Sequence, residues 1–247
     1  MSDAEHTAGF GDRKVSPEEK TRLVGGVFDS VAHRYDLMND LMSLGSHRLL
    51  KRLTVEMAGL REGWRVLDLA GGTGDLARLA APLVGERGTV VLADINASML
   101  AAGRDRLIDS GMAGVRYCRA AAEALPFAAD GFDCALVGFG LRNFTDRQAA
   151  LGEIKRVLKP GGVLLVLEFS KPVNPVLEGL SAGWQSVWPA VGRLVAGDGG
   201  SYRYLVESIR KHPSQEALKL MMEDARFDDV EFHNLLGGVV AIHRGVA

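Results

Sequence analysis

Two rhythms of apolar and polar positions divide the chain. From Ser16 to Ala58 apolar residues recur at helical spacing, whereas after Arg65 short apolar runs alternate with helical segments. The second pattern is that of βαβ units around a parallel sheet buried on both faces. It predicts strands over 65–69, 89–94, 114–119, 132–138 and 162–169, and helices over 74–84, 96–110 and 146–158. Asn96 or Ser98 can cap the second of these helices and Thr145 the third, while Lys159-Pro-Gly-Gly162 ends the third and turns into the next strand. The closing stretch, D-D-V-E-F-H-N-L-L-G-G-V-V-A-I-H-R-G, holds two strands joined at Gly237-Gly238 with no helix between them, so one strand must run antiparallel.

Ahead of the sheet, residues 1–15 lack periodicity and read as a flexible N-terminal arm. Ser16 can cap a helix that begins at Pro17, carries Glu18 and Glu19 in its first turn and shows Leu23, Val27 and Val31 on one face. An amphipathic stretch, Val27 to Ser43, and a helix over 47–58 ending near Gly59 complete a set of cap helices over 16–62. A second insertion spans 171–201, and two more helices follow it as far as Ala225. Val176, Leu177, Leu180, Trp184, Val187 and Trp188 fall on one helical stripe there, interrupted by Pro189. This helical lid either packs on the sheet edge or presents a binding surface. The whole of 16–247 reads as one domain.

Composition narrows the function classes. Across 247 residues, 29 Lys and Arg stand against 31 Asp and Glu, which gives no electrostatic reason to expect nucleic acid as a partner. No apolar run approaches the ~18 residues of a bilayer span, and M-S-D-A-E-H carries no signal-peptide pattern, so a soluble cytoplasmic protein is expected. Cys118 and Cys134 fall in predicted strands without metal-like spacing and read as free thiols, with no metal site implied.

The chemistry concentrates in Val66–Leu76, V-L-D-L-A-G-G-T-G-D-L, where a strand leaves through a glycine turn into a helix. Such a turn presents backbone N–H groups and a helix N-terminus to a ligand. Asp94 closes the next apolar run, twenty-six residues beyond Asp68, at a spacing suited to binding ribose hydroxyls. Gly72-Thr73-Gly74 with Ala77 also fits a relaxed dinucleotide fingerprint. The acid at Asp68 and the terminal hairpin favour S-adenosyl-L-methionine instead, with Asp68 near the cofactor's ammonium and Asp94 on its ribose.

The resemblance goes further. V-F-D-S-V-A-x-x-Y-D-L-M-N-D-L-M-S-x-G-x-H-R, A-D-I-N-x-S-M-L, A-E-A-L-P-F, F-G-L-R-N, R-V-L-K-P-G-G, L-L-V-L-E-F-S-K-P and S-Y-R-Y-L-x-E-S-I-R together resemble the UbiE family of ubiquinone and menaquinone biosynthesis C-methyltransferases. That resemblance implies a class I S-adenosylmethionine methyltransferase: a Rossmann-like α/β fold with a seven-stranded, mostly parallel sheet, one antiparallel strand and helices on both faces. It places the cofactor on Gly72, Thr73, Gly74 and Asp94, on Ala121 and Ala122 before A-L-P-F, and on Gly138 before F-G-L-R-N. Ala121 and Gly138 stand where the family usually has Asn or Asp and Ser, respectively, so a side-chain hydrogen bond worth about 0.5–1.5 kcal/mol is missing unless backbone groups replace it. The implied acceptor is a polyprenylated quinol, either demethylmenaquinol or 2-polyprenyl-6-methoxy-1,4-benzoquinol, which brings with it a peripheral contact with the inner face of the membrane. A homodimer, or association with other quinone-biosynthesis enzymes, is admitted but not specified.

Carbon methylation requires alignment and deprotonation of the acceptor hydroxyl. Arg142 is the candidate to stabilise the oxyanion and Asn143 to orient it or a water, with Tyr35, Tyr202 and Arg203 behind them. A guanidinium paired to a carboxylate is the alternative account of Arg142. His33 and His47 have the right intrinsic basicity, but an isolated histidine is more often structural. A methyltransferase of another small apolar substrate, or a cofactor-binding protein without catalysis, remains as the second reading.

Overall fold

The computed structural model describes residues 7–31, 39–40, 42–43, 45–196 and 199–247. Its centre is a seven-stranded sheet built from β3 (Arg65–Leu69), β4 (Thr89–Asp94), β5 (Arg116–Arg119), β6 (Phe132–Gly138), β7 (Leu158–Phe169), β8 (Asp228–Leu235) and β9 (Val240–Val246). The strand order is β5-β4-β3-β6-β7-β9-β8, and β9 runs antiparallel to both of its neighbours while every other neighbouring pair is parallel.

Alternation along each strand feeds two cores. Val66, Val90, Leu92, Cys134, Leu136 and Leu165 enter one, with α2 (Ser46–Met57), α3 (Asp75–Val84) and α4 (Ala97–Asp109) over them; Leu67, Leu69, Val91, Ala135, Val137 and Leu164 enter the other, under α5 (Arg147–Val157) and α9 (Gln215–Asp224). Both faces being covered is why these strands read as unbroken apolar runs. Cys134 is fully buried in β6 and Cys118 half-buried in β5, both as free thiols.

From β3 the chain winds outward through β4 to β5, then returns to place β6 on the other side of β3. The carboxyl ends of β3 and β6 therefore flank the crevice where sheets of this kind bind ligands. Two non-glycine residues, Ala70 and Phe139, take left-handed backbone angles there, with φ of 53° and 56°. Such strain is stored where surrounding packing enforces it.

Several sequence expectations need correction. The segment read as part of a flexible arm contains a hairpin, β1 (Ala8–Phe10) with β2 (Arg13–Val15). It is fastened to α8 (Gly199–Arg210) by a Phe10–Tyr204 ring stack at 4.5 Å and an Asp12–Arg210 ion pair at 2.7 Å. Three-residue strands are too short to show a period, and the anchors lie some two hundred residues away. Asp146, not Thr145, caps α5, its carboxylate accepting from Ala149 N at 3.0 Å. Lys159–Gly162 lies inside β7, which begins at Leu158, because a register shift at Phe132/Cys134 absorbs the two glycines. The other caps are as expected: Ser16 Oγ accepts from Glu19 N, and Asn96 Oδ1 from Met99 N.

The insertion is helical, α6 (Pro175–Ser186) and α7 (Trp188–Ala196), but its stripe does not pack as one surface. Val176 and Leu180 are 72% and 67% exposed, whereas Trp188 is buried with its ring edge toward Phe169. α1 (Pro17–Val31) lies over the crevice at the opposite side. Tyr35 and His33 lie outside the described residues.

Candidate functional site

Three cavities meet at the segment Phe139–Asn143 that follows β6. The first is a cleft over the carboxyl ends of β3, β4 and β6, roofed by Val24, Gly25 and Phe28 of α1. The second, of about 190 Å³, lies between α2, α6 and the ends of β6 and β7. A smaller third lies beneath α8. Phe139 is common to the first and second, Asn143 to the first and third, and Arg142 to the second and third.

In the first cleft Asp94 is held by two backbone donors, Gly72 N on Oδ2 at 3.0 Å and Asn96 N on Oδ1 at 2.8 Å. Burial pushes its carboxyl above the usual range, against the pull of those amides. Each oxygen keeps a lone pair for a further donor, as a ribose diol would supply. Gly72, Ala122 and Gly138 also line this cleft, with Ile95 and Met99 giving it apolar walls. Gly72 takes φ of 55°, which exposes its backbone at the turn. At Gly138 a Cβ would stand 2.8 Å from Leu76 Cδ1, so Leu76 occupies the space beneath this bare stretch of wall.

The remaining predicted cofactor residues support the turn without lining the cleft. Asp68 is wholly buried behind it, its Oδ2 accepting from Ala77 N at 2.8 Å while its Oδ1 has no partner among the described residues. Burial raises this carboxyl to about 7, opposed mainly by the Ala77 amide. An aspartate whose oxygens suit a ribose diol, with a second acid buried behind the glycine turn to favour a cationic group above it, fits S-adenosylmethionine. Thr73 Oγ1 accepts from Arg106 at 3.2 Å. Gly74 has φ of 80° and packs where a Cβ would meet Leu107 at 2.8 Å. Ala121 forms a backbone bridge with Ala124 and is only half-buried.

The second cavity is floored by aromatic rings. Phe139 and Phe169 have centroids 5.0 Å apart, and the Arg142 guanidinium lies 5.4 Å over Phe169. Arg142 is buried and paired, with Nη1 2.8 Å from Glu168 Oε1 and also donating to Phe139 O; its Nε has no partner among the described residues. The carboxylate partner is thus present, but it is the buried Glu168 at the end of β7 and not a surface group. Asn143 Oδ1 accepts from Tyr204 OH at 3.1 Å, and burial raises that phenol to about 12, keeping it a donor. Tyr202 lines the third cavity, whereas Arg203 is exposed and lines none of the three.

Sequence reasoning missed Glu168, Phe139, Phe169, Phe28, Tyr204 and Asp40, and set His47 aside as more often structural. Glu168 stood within L-E-F-S-K-P and Asp40 with His47 inside N-D-L-M-S-x-G-x-H-R, but only the fold pairs Glu168 with Arg142 and Asp40 with His47. Among the described residues no cluster of His, Cys, Asp and Glu could hold a metal ion.

Residues 14–247 match the model of the ubiE/COQ5 methyltransferase family. The chain is 56% identical over 247 residues to a ubiquinone/menaquinone biosynthesis C-methyltransferase UbiE of Klebsiella pneumoniae (strain 342), covering 99% of this chain and 98% of that protein. It is 57% identical over 246 residues to the protein so named in Pectobacterium atrosepticum, with 99% and 98% covered. Among solved structures, a SAM dependent methyltransferase from Aquifex aeolicus superposes with a TM-score of 0.58 at 18% identity, covering 85% of this chain and 97% of that one. The methyltransferase in a Haloferax volcanii complex with its Trm112 activator gives 0.65 at 17% identity, with 89% and 97% covered. These structural likenesses concern the fold alone.

Proposed function

The chain belongs to the ubiE/COQ5 methyltransferase family, and from that premise we propose that it is an S-adenosylmethionine-dependent C-methyltransferase of quinone biosynthesis acting on a polyprenylated quinol, demethylmenaquinol or 2-polyprenyl-6-methoxy-1,4-benzoquinol. One observation carries the reading: an aspartate-edged cleft and an apolar, aromatic-floored cavity share Phe139, so a donor in one and a flat ring in the other would meet beside that side chain.

Asp94, Gly72 and the buried Asp68 are the residues that would hold the cofactor, with Phe28, Ile95 and Met99 against its apolar parts. Bound there, it supplies a methyl on a sulfonium and leaves as a neutral thioether. The protein's own part is to orient the ring, exclude water and manage charge. Phe139 and Phe169 give the ring a flat apolar bed, with the Arg142 cation beside it. Glu168 fixes Arg142 so that its unpartnered Nε remains for an oxyanion developing on the acceptor. Asn143, its carbonyl occupied by Tyr204, keeps its amide donor for the same oxygen or a water.

The acceptor's tail would leave past Trp184 and Leu236, which line the second cavity and are 45% and 56% exposed. Val173, Val176 and Leu180 stand exposed on the same insertion. A rim of this kind suits a lipid surface, from which a long-tailed substrate would enter without crossing water. No helix among the described residues is long and apolar enough to cross a membrane, so this contact would be peripheral.

The direct test is incubation with radiolabelled methyl donor and either reduced quinol, followed by lipid extraction. Label in one or both lipids is expected. No label in either, from protein that binds S-adenosylmethionine calorimetrically, leaves the reading of another small apolar substrate or of a binding protein.

A further inference from the structure

Carbon methylation of a quinol needs somewhere for the hydroxyl proton to go, and neither Arg142 nor Asn143 can take it. His47 can. It sits in the first turn of α2, just after Gly45 turns the chain at φ of 76°, and it lines the acceptor cavity together with Arg142, Ser43 and Lys51. Its side chain is 8% exposed. Nε2 lies 2.8 Å from Asp40 Oδ1, and Arg48 holds the same carboxylate from outside. Hydrogen bonding from Arg48, ahead of that from His47, keeps Asp40 below the usual carboxylate range and therefore ionised. An ionised carboxylate only accepts, so Nε2 carries the proton and Nδ1 keeps a lone pair. Nδ1 is buried and has no partner among the described residues.

We propose that His47 is the general base of the reaction, taking the acceptor's ring hydroxyl proton at Nδ1, with Asp40 as the positioning residue that fixes the ring and its tautomer. The inference rests on the quinol methyltransferase reading above. In the step, the O–H bond breaks and its proton moves to Nδ1. The freed electron pair moves into the ring, a ring carbon bonds the methyl, and the pair of the broken C–S bond returns to sulfur. The same ring carbon then loses its hydrogen to water as the ring regains aromaticity, and His47 returns its proton to the oxygen. One proton is released in all, and no oxidant or reductant is needed.

The surrounding charges suit a neutral resting imidazole. Burial lowers the His47 pKa below its ordinary value, and Lys51 on the same helix adds to this. Asp40 opposes them, as does Asp75 of α3, whose carboxylate is held by Lys51 at 2.6 Å and by Arg106 of α4 at 2.9 Å. Arg142 faces the same cavity. The acid limb of the rate profile should therefore lie below the usual histidine value of about 6.5.

Single-turnover methylation of a short-tailed reduced quinol, followed from about pH 5 to pH 9, tests the assignment. His47→Gln is expected to slow the step at least about 100-fold, to remove the acid limb, and to leave S-adenosylmethionine affinity unchanged by calorimetry. A chlorinated quinol, whose hydroxyl ionises more readily, should lose far less in that variant. Added imidazole should restore part of the activity of His47→Ala. Asp40→Asn is expected to cut the rate about tenfold and shift the acid limb to lower pH, because a carboxylate that raises the His47 pKa is gone. A merely structural histidine would move none of these profiles. Folded His47→Gln protein working within about threefold of wild type, or an acid limb unmoved in Asp40→Asn, overturns the proposal. Wild-type protein that labels no quinol defeats the underlying functional reading, which is a different result from wild-type and His47→Gln proteins that both label it.

Discussion

Arg142 cannot be tested by truncation alone, because Glu168 lies beneath it with 1% of its side chain exposed. Removing one partner of a buried ion pair costs about 3–5 kcal/mol, since the other charge is left without compensation. Arg142→Ala should therefore unfold readily and report little about catalysis. The double variant Arg142→Gln with Glu168→Gln is expected to recover most of that stability by urea denaturation while kcat stays down about 100–1,000-fold, the range for losing a preorganised donor to an oxyanion. Recovery of kcat along with stability would make the pair structural. Asp68 is the converse case, a charge kept at a cost. Its folded pKa of about 7 lies above the unfolded value, so the folded state holds the proton more tightly, and stability rises as pH falls from about 7 toward 4. Above that window the ionised, half-partnered carboxylate weighs fully against folding. Asp68→Asn should stabilise the ligand-free protein at pH 8 by about 1 kcal/mol or more, with the gain fading by pH 5, and should weaken S-adenosylmethionine binding in titration calorimetry. A variant less stable than wild type at pH 8 would refute this account. Both residues were visible in the sequence, as an acid before a glycine turn and an arginine after a strand. Their partners were not, because Glu168 is twenty-six residues from Arg142 and reaches it only through the pairing of β6 with β7.

At the scale of elements, the parallel strands were legible because burial on both faces leaves no polar position to blur them, and the caps were legible where a single Ser or Asn does the work. The placement of α1 was not, since its amphipathic face says that it packs without saying on what. Two tethers decide it. Lys20 Nζ donates to Phe144 O at 2.6 Å, and Asn96 Nδ2 donates to Gly25 O at 3.2 Å and Asp29 Oδ1 at 3.0 Å, so α1 is stretched across the cofactor cleft. Asn96 thus has two tasks, for its Oδ1 also caps α4. Substitution separates them. Asn96→Ala should lose about 1 kcal/mol from the missing cap, whereas Asn96→Ser keeps a capping oxygen and should stay within about 0.5 kcal/mol of wild type in thermal denaturation. Both variants should exchange amide hydrogens faster in α1 and bind S-adenosylmethionine more weakly. Unchanged exchange in α1 with either variant would mean that the helix is held by packing alone. The β1–β2 hairpin was hidden for a related reason, its stability coming from Phe10 on Tyr204 and not from its own six residues.

At the scale of the molecule, the insertion read from sequence as a lid would, under the proposed function, serve as a doorway. Its buried end, Trp188 toward Phe169, belongs to the acceptor cavity, and its exposed end carries Val176 and Leu180 with Glu178 the lone charge in α6. A helix that forms part of a cavity and leaves Val176 and Leu180 in water gains nothing from folding at those positions. Each such side chain is worth about 1.5–3 kcal/mol if fully withdrawn from water, so two or three of them inserted into a lipid surface could hold the protein weakly and reversibly while a tail slides past Trp184 and Leu236. Val176 and Leu180 line none of the three cavities, which makes them separable from the chemistry. Val176→Asp with Leu180→Asp is expected to abolish flotation with quinol-loaded liposomes and to lower kcat/KM at least about tenfold for a long-tailed acceptor presented in vesicles, the equivalent of about 1.4 kcal/mol. The same double variant should methylate a short-tailed, water-soluble quinol at the wild-type rate. Equal losses on both substrates would place the damage in the fold of α6, and unchanged flotation would remove the membrane from the account, leaving the rim to some other apolar partner.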